Sequence, residues 1–198
     1  MKIEVRKELK IWAIYFAAIL CSAYIHELGH CIPAWILGYW AVPTPAKEYI
    51  SGTFPQEFKQ YTSLGGIIGT VAFSLTVLIL YLIKTNRFNS VLLAGAIAIP
   101  AMYTLRFALI GRGHDATEFQ EAQYALGLSY PGHFLDWFFM ALLLLAIAVW
   151  IIKSKPGFKI LGRLAIGFVL TFVFVIGLQE INNAVFDPVF QSKSIVGK

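Results

Sequence analysis

The sequence predicts an all-α integral membrane protein with about five transmembrane helices. Of its 198 residues, 58% are apolar and 14% are charged, whereas soluble domains carry about 25% charged residues. The apolar residues form blocks that are too long for a globular core, and a helix needs about 20 mostly apolar residues to cross the ~30 Å hydrocarbon layer. We predict spans at residues 11–40, 64–83, 91–110, 134–152 and 160–178.

The first predicted span carries polar residues towards its far end. At 1.5 Å per residue, His26 lies about 24 Å along the helix from Lys10, in the outer part of the hydrocarbon layer. Pro33 leaves the Gly29 carbonyl without its helical donor, and a kink there would open the helix. The start of the chain also resembles a signal peptide, but cleavage would remove most of this helix, so we expect the helix to be retained.

The elements that follow alternate between polar connections and apolar spans. The connection 41–63 contains Pro43, Pro45 and Pro55, which argue against a regular helix, and it offers an edge or gate beside the membrane. The second span opens with three glycines at which helices can pack closely. Residues 111–132 follow the third span and are predicted to include a short helix from Thr117 to Leu126. The three glycines that open the second span are Gly65, Gly66 and Gly69.

The fourth and fifth spans complete one polytopic domain, which we assign to residues 1–198 because the sequence has no internal repeats. With five spans, the N-terminus and the second and fourth connections share one side of the membrane and hold ten of the 16 basic residues, against five on the other side. Basic residues are retained in the cytoplasm, so we expect a cytoplasmic N-terminus in the plasma membrane of a prokaryote. The modest net charge of +5 is explained by this topology, not by a nucleic-acid surface.

The chemical feature of the sequence is His26-Glu27-Leu28-Gly29-His30. On a helix, this spacing puts His26 and His30 on one face, one turn apart, where both can bind a Zn²⁺ ion. Glu27 can then act as the general base that takes a proton from water activated by the metal. Ionisable residues within a membrane helix are costly and indicate a functional site. The alternative is a polar interhelical network or a proton relay.

A catalytic zinc site needs a third protein ligand and one open position. The candidates are His114 and Asp115, which follow the third span, and the sequence does not decide between them. Asp115 and Glu118 also fit a capping box for the short helix, with Glu118 reaching back to its start. His133 and Glu180 are reserve candidates.

These residues resemble the site-2 protease family of intramembrane zinc metalloproteases. The resemblance is carried by the motif at 26–30 inside an apolar helix, by Ala34 and Gly38, and by the Pro-rich connection before Gly65-Gly66. It implies that His26 and His30 bind zinc and that Glu27 is the general base. The family's third ligand is an aspartate in a Leu-Asp-Gly-type motif, which this sequence lacks, and Asp115 is its nearest equivalent. Family members usually hold the site towards the cytoplasm, whereas the distribution of basic residues here places it outside.

The sequence therefore favours a zinc-dependent intramembrane endopeptidase, whose partners are the lipid bilayer and a membrane-protein or hydrophobic peptide substrate. The alternative is a membrane transporter or metal-handling protein that uses the His/Glu cluster as a transit site. A transporter needs polar residues along a path through several helices, and the second and fourth spans offer few of them.

Overall fold

The computed structural model describes residues 2–111, 116–128 and 133–194, which are mostly helical. A short two-stranded sheet follows the first helix, and one-turn 3-10 helices lie at Gln56–Phe58 and Gln191–Lys193. The strands are β1 (Ala41–Pro43) and β2 (Glu48–Ile50). The α-helices are α1 (Lys2–Ile36), α2 (Lys59–Ile83), α3 (Arg87–Ala96), α4 (Ala98–Ile110), α5 (Ala116–Ala125), α6 (Phe134–Ser154), α7 (Phe158–Val185) and α8 (Asp187–Phe190).

The predicted number of membrane spans agrees with the helices. Within the described ranges, four helical segments are long and apolar enough to cross a membrane, and α3 with α4 makes a fifth if this pair, bent by 46°, is one span. The short helix predicted at 117–126 is observed as α5. The four segments that are long and apolar enough to cross a membrane are Val5–Ile36, Gln56–Ile83, Phe134–Ser154 and Ile160–Val185.

The first helix ends four residues before the predicted boundary at Trp40. Gly38 adopts a left-handed conformation with φ of 78°, and the Tyr39 N–H bonds the Ala34 carbonyl at 2.8 Å. This geometry is a Schellman motif, which terminates a helix at a glycine. The helix does continue through Pro33, which lies inside α1.

The third predicted span is broken at Ile97, and Pro100 accounts for the break. Proline has no N–H, so a continuous helix would leave the carbonyl of Ala96, four residues earlier, without its donor. The hydroxyls of Ser22 and Ser74 donate to that oxygen at 3.3 and 3.5 Å. The bend is therefore stabilised by side chains from α1 and α2.

The connection between the first two spans forms an antiparallel hairpin, in which Ala41 pairs with Ile50 and Pro43 with Glu48. One side of this hairpin packs on α1, where Ile50 and Phe54 contact Cys31 and Ala34 in a buried cluster.

The C-terminal segment holds the other side of the hairpin. The Tyr49 hydroxyl donates to Asp187 at 2.6 Å and accepts from the Asn182 amide at 2.7 Å. Lys47 forms an ion pair with Asp187 at 3.1 Å, and the Ile50 N–H donates to the Ser194 hydroxyl. The hairpin is thus fixed between α1 and the end of the chain.

Helices α1 and α2 pack in backbone contact at the glycines that the sequence predicted as packing positions. A Cβ added at Gly65 would overlap the Gly29 carbonyl, and one at Gly69 would lie 2.6 Å from the Ile25 carbonyl oxygen. A Cβ at Gly66 would overlap the His30 ring. These glycines allow the imidazoles of α1 to reach the backbone of α2.

Ion pairs join different helices at two ends of the helix bundle. At one end, Glu8 pairs with Arg163 at 2.7 Å and lies 3.9 Å from Arg87. At the other end, Lys59 pairs with Glu121 at 3.1 Å, and the hairpin meets the C-terminal segment. The motif 26–30 lies at this second end.

We predict that Gly65→Ala destabilises the protein, because its Cβ meets the Gly29 backbone, which cannot move aside as a flexible side chain can. Overpacking of this kind costs about 1–3 kcal/mol, and thermal unfolding in detergent measures the loss. Gly177→Ala is the matched control, because an added Cβ there meets nothing within 4 Å. Equal unfolding temperatures for the two variants would contradict the close packing.

The pH dependence of hairpin docking follows from Asp187. Its hydrogen bond from Tyr49, together with Lys47, lowers the pKa of this carboxyl below the ordinary value of about 3.9. A lowered folded-state pKa gives stability that is present above the ordinary value and is lost as the pH falls through the folded-state pKa. We expect Asp187→Asn to lower the unfolding temperature at neutral pH. The difference from wild type should shrink once the pH falls below about 4 and vanish below the lowered folded-state pKa. The control is Glu57→Gln at an exposed site, and a pH-independent difference would contradict this account.

Candidate metal centre

The two histidines of the motif meet on one face of α1. Their ring centroids lie 4.6 Å apart with the rings nearly perpendicular, and the Nε2 atoms of His26 and His30 are 3.1 Å apart. The side chains are 16% and 7% exposed, respectively. The i, i+4 spacing therefore brings two nitrogen atoms to one point, as the sequence predicted.

The backbone of α2 fixes which nitrogen of each ring carries the proton. His30 Nδ1 lies 2.8 Å from the Thr62 carbonyl, and His26 Nδ1 lies 3.1 Å from the Gly66 carbonyl and 2.9 Å from the Thr70 hydroxyl. A carbonyl can only accept, so both Nδ1 atoms are donors and, in the neutral rings, both Nε2 atoms carry lone pairs. Hydrogen bonds of this kind orient histidines that bind metals.

A carboxylate from α5 completes the cluster. Glu118 Oε1 lies 3.6 Å from His26 Nε2 and 3.4 Å from His30 Nε2, and the Glu118 side chain is 14% exposed. Two features of the next turn hold α5 against α2. Phe119 and Ala122 pack on Ile67, and Glu121 accepts a hydrogen bond from Ser63 at 2.6 Å.

The separations of these three candidate ligand atoms are close to those of a tetrahedral metal site. Tetrahedral zinc with ligand distances of about 2.0–2.2 Å separates its ligand atoms by about 3.3–3.6 Å, and the observed separations are 3.1, 3.4 and 3.6 Å. Two lone pairs and a carboxylate at such distances repel one another unless a metal ion, or a proton on one Nε2, lies between them. Two histidines and one glutamate are also a known ligand set of catalytic zinc.

Two further carboxylates lie beside this cluster. Glu27, His30 and Glu48 each offer a ligand atom, and these atoms lie within 4.8 Å of one another. Glu27 is the second residue of the motif, and Glu48 reaches the site from β2 of the hairpin. His30 belongs to both groups, so the carboxylates of Glu27 and Glu48 lie next to any molecule bound at the His26/His30/Glu118 cluster.

The structure adds a candidate for the third ligand to those that the sequence predicted. His114 and Asp115 lie outside the described residues. Glu118, for which the sequence also offered a capping role at the start of its own helix, has its carboxylate against the imidazoles of His26 and His30. The Asp-x-x-Glu pattern fits both a helix cap and a metal ligand, so the sequence signal was present but ambiguous.

The two reserve candidates do not join the cluster. His133 pairs with Asp136 at 3.2 Å, and its ring packs against Phe107. Glu180 is exposed on α7. Among the described residues, two groups of ligand side chains are close enough to hold a metal, and neither contains His133 or Glu180.

The contribution of Glu48 had no signal in the sequence. Its position depends on the hairpin and on the docking of this hairpin against the C-terminal segment, which bring β2 beside α1. Neither contact is encoded in the residues next to Glu48.

No protein-family model, curated protein or solved structure matches this chain. The side chains themselves therefore define the class of site, which is a His/His/Glu cluster suited to a metal ion, beside two further carboxylates, in a protein with several apolar helices long enough to span a membrane.

We predict that Glu118→Ala lowers zinc affinity by more than the 10–100-fold typical of losing an outer-shell partner, because we expect this carboxylate to bind the ion directly. Competition with a chromophoric zinc chelator measures the affinity of the detergent-purified protein. Glu57→Ala removes a carboxylate at an exposed site on the same face and is the matched control. His114→Ala and Asp115→Ala should retain zinc. Loss of zinc from Asp115→Ala, with retention by Glu118→Ala, would reverse this assignment.

Proposed function

We propose that this protein is a zinc-dependent endopeptidase that cleaves a membrane-spanning or hydrophobic peptide segment. The observation that carries the proposal is the convergence of His26, His30 and Glu118 at tetrahedral separations, next to the glutamate that follows the first histidine. Two histidine nitrogens and a carboxylate oxygen that converge on one point are a donor set that suits a bound cation.

His26, His30 and Glu118 would hold the ion. Bound zinc would polarise the scissile carbonyl and lower the pKa of a coordinated water towards 7. Glu27 would accept a proton from the attacking water as its oxygen bonds to the carbonyl carbon. Glu27 would then return that proton to the amide nitrogen as the carbon–nitrogen bond breaks.

The surroundings of the cluster support a hydrophobic substrate. The motif lies within a segment, Val5–Ile36, that is apolar enough to span a membrane. Carbonyls of a helical substrate are hydrogen-bonded within the helix, so a substrate must unwind locally before cleavage. We propose a single-span membrane protein or hydrophobic peptide that is locally extended.

The hairpin beside the site would act as a fixed wall, although the sequence suggested an edge or gate. The Ala41 carbonyl of β1 accepts from the Trp35 indole at 3.0 Å, and Pro43 has no N–H to offer. On the other strand, the Ile50 N–H bonds Ser194. These contacts leave little of either edge for pairing with a substrate, and they hold Glu48 in position.

The resemblance to the site-2 protease family supports this proposal through the motif helix. The proposed third ligand, Glu118, stands on a short helix after the third span, whereas the family uses an aspartate on a later transmembrane helix. We therefore propose a membrane zinc protease with its own ligand arrangement. We further propose a prokaryotic plasma membrane, a cytoplasmic N-terminus and a site near the outer face.

We predict that Glu27→Gln abolishes peptide cleavage and leaves zinc bound, because the amide cannot take the proton from water. Loss of general base catalysis lowers rates by about 10²–10⁴-fold. The assay reconstitutes the protein with a panel of single-span proteins that carry Gly or Pro in the span, and products are identified by mass spectrometry. Glu57→Gln is the control.

A fully active Glu27→Gln variant would contradict the proposed role of Glu27 as the general base. If the wild-type protein cleaves no member of the panel but carries zinc across proteoliposome membranes, the alternative of a transporter or metal-handling protein replaces the protease. Peptide cleavage and zinc transport are measured on the same reconstituted preparation. A preparation that contains no zinc is recognised as inactive protein and is not counted as a negative result.

A further inference from the structure

A cavity of about 690 Å³ lies at the end of the bundle away from the metal cluster. It is bounded by the N-terminal part of α1, by α3, by the end of α6 and by the start of α7. Trp12 on its wall and His26 are fourteen residues apart on α1, which is about 21 Å along the helix. The cavity therefore belongs to a different part of the molecule.

The lining divides into an apolar part and a basic part. Ile11, Val91 and Leu164 line the apolar part, beside aromatic rings of α1 and α6. The basic part holds three cationic side chains from three different helices. They are Arg87, Lys153 and Arg163.

The cationic groups exceed the neighbouring negative charge. Glu8 pairs with Arg163 at 2.7 Å and lies 3.9 Å from Arg87, so one carboxylate of the described side chains stands among three basic groups. The side chains of Arg87 and Arg163 are 61% and 46% exposed, and their guanidinium groups remain accessible to a ligand with negative charge.

The walls of the cavity are held by specific contacts. The Trp150 indole donates to the Ser90 hydroxyl at 2.6 Å, which joins α6 to α3. The hydroxyls of Tyr81 and Ser154 are hydrogen-bonded at 2.6 Å. A Cβ added at Gly167 would lie 3.3 Å from both Trp12 and Tyr15, so this glycine admits the two rings. The space is therefore a formed feature of the fold.

We propose that this cavity binds one anionic phospholipid, with the headgroup phosphate at Arg87 and Lys153 and an acyl chain along the apolar wall. Basic pockets between membrane helices bind anionic headgroups, and the volume lies within the range of about 300–1,000 Å³ typical of ligand pockets. A free anion would use only the basic part. A lipid matches both parts, and it would join α6 and α7 to α1 and α3.

The test is native mass spectrometry of the full chain in detergent with equal amounts of dioleoyl phosphatidylglycerol and dioleoyl phosphatidylcholine, which differ only in headgroup. We expect one phosphatidylglycerol to be retained per chain. Each basic residue near a membrane surface contributes about 1 kcal/mol, or about fivefold in affinity. Arg87→Gln with Lys153→Gln should therefore lower phosphatidylglycerol binding about 25-fold and leave phosphatidylcholine unchanged.

The matched control is Lys7→Gln with Lys84→Gln, which removes the same charge from exposed sites at the same end of the bundle, outside the cavity lining. An equal loss in this control would show diffuse surface attraction and overturn the site. Equal retention of the two lipids would also overturn it. Inorganic phosphate should not displace the lipid, and displacement would favour a free-anion site. Zinc content should be unchanged throughout, which separates this result from the proposed protease.

Discussion

Backbone contact between α1 and α2 is the constraint on which the rest of the site depends. The contact is possible because Gly29 faces Gly65, and Gly66 lies under the ring of His30. At this distance, carbonyls of α2 become the acceptors for both histidine Nδ1 atoms. Each ring is thereby held in one tautomer, with its other nitrogen directed at a common point. Larger side chains at these glycines would separate the helices and remove the groups that orient the imidazoles.

Two of the three acidic groups of the site, Glu118 and Glu48, are supplied by short elements outside the long helices. Glu118 stands on the ten-residue α5, and Glu48 stands on the three-residue β2. Neither element is stable alone, since isolated short helices and hairpins are marginal in water. Each is held by docking, α5 through its packing on α2 and the hairpin through its contacts with α1 and the C-terminal segment. The proposed chemistry therefore depends on packing at the ends of the bundle.

The two ends of the bundle differ in the chemistry they offer. One end brings histidines and carboxylates together, and the other brings basic side chains to an apolar cavity. Ion pairs at each end connect segments that are distant in sequence, such as Glu8 with Arg163 and Lys59 with Glu121. An up-and-down arrangement of the long helices would group the connections in this way, because alternate connections return to the same side.

The sequence by itself determined the mostly helical class, the approximate places of the long apolar helices and the pairing of His26 with His30. These features depend on local composition and on the 3.6-residue helical repeat, which are legible without tertiary contacts. Glycines at the start of the second span also indicated close packing. The bend at Ile97, the hairpin, the position of Glu48 and the place of Glu118 beside the histidines were decided only by the tertiary structure. Each of them depends on which distant segment supplies a hydrogen bond or a packing surface, and a local pattern such as Asp-x-x-Glu is compatible with more than one such partner.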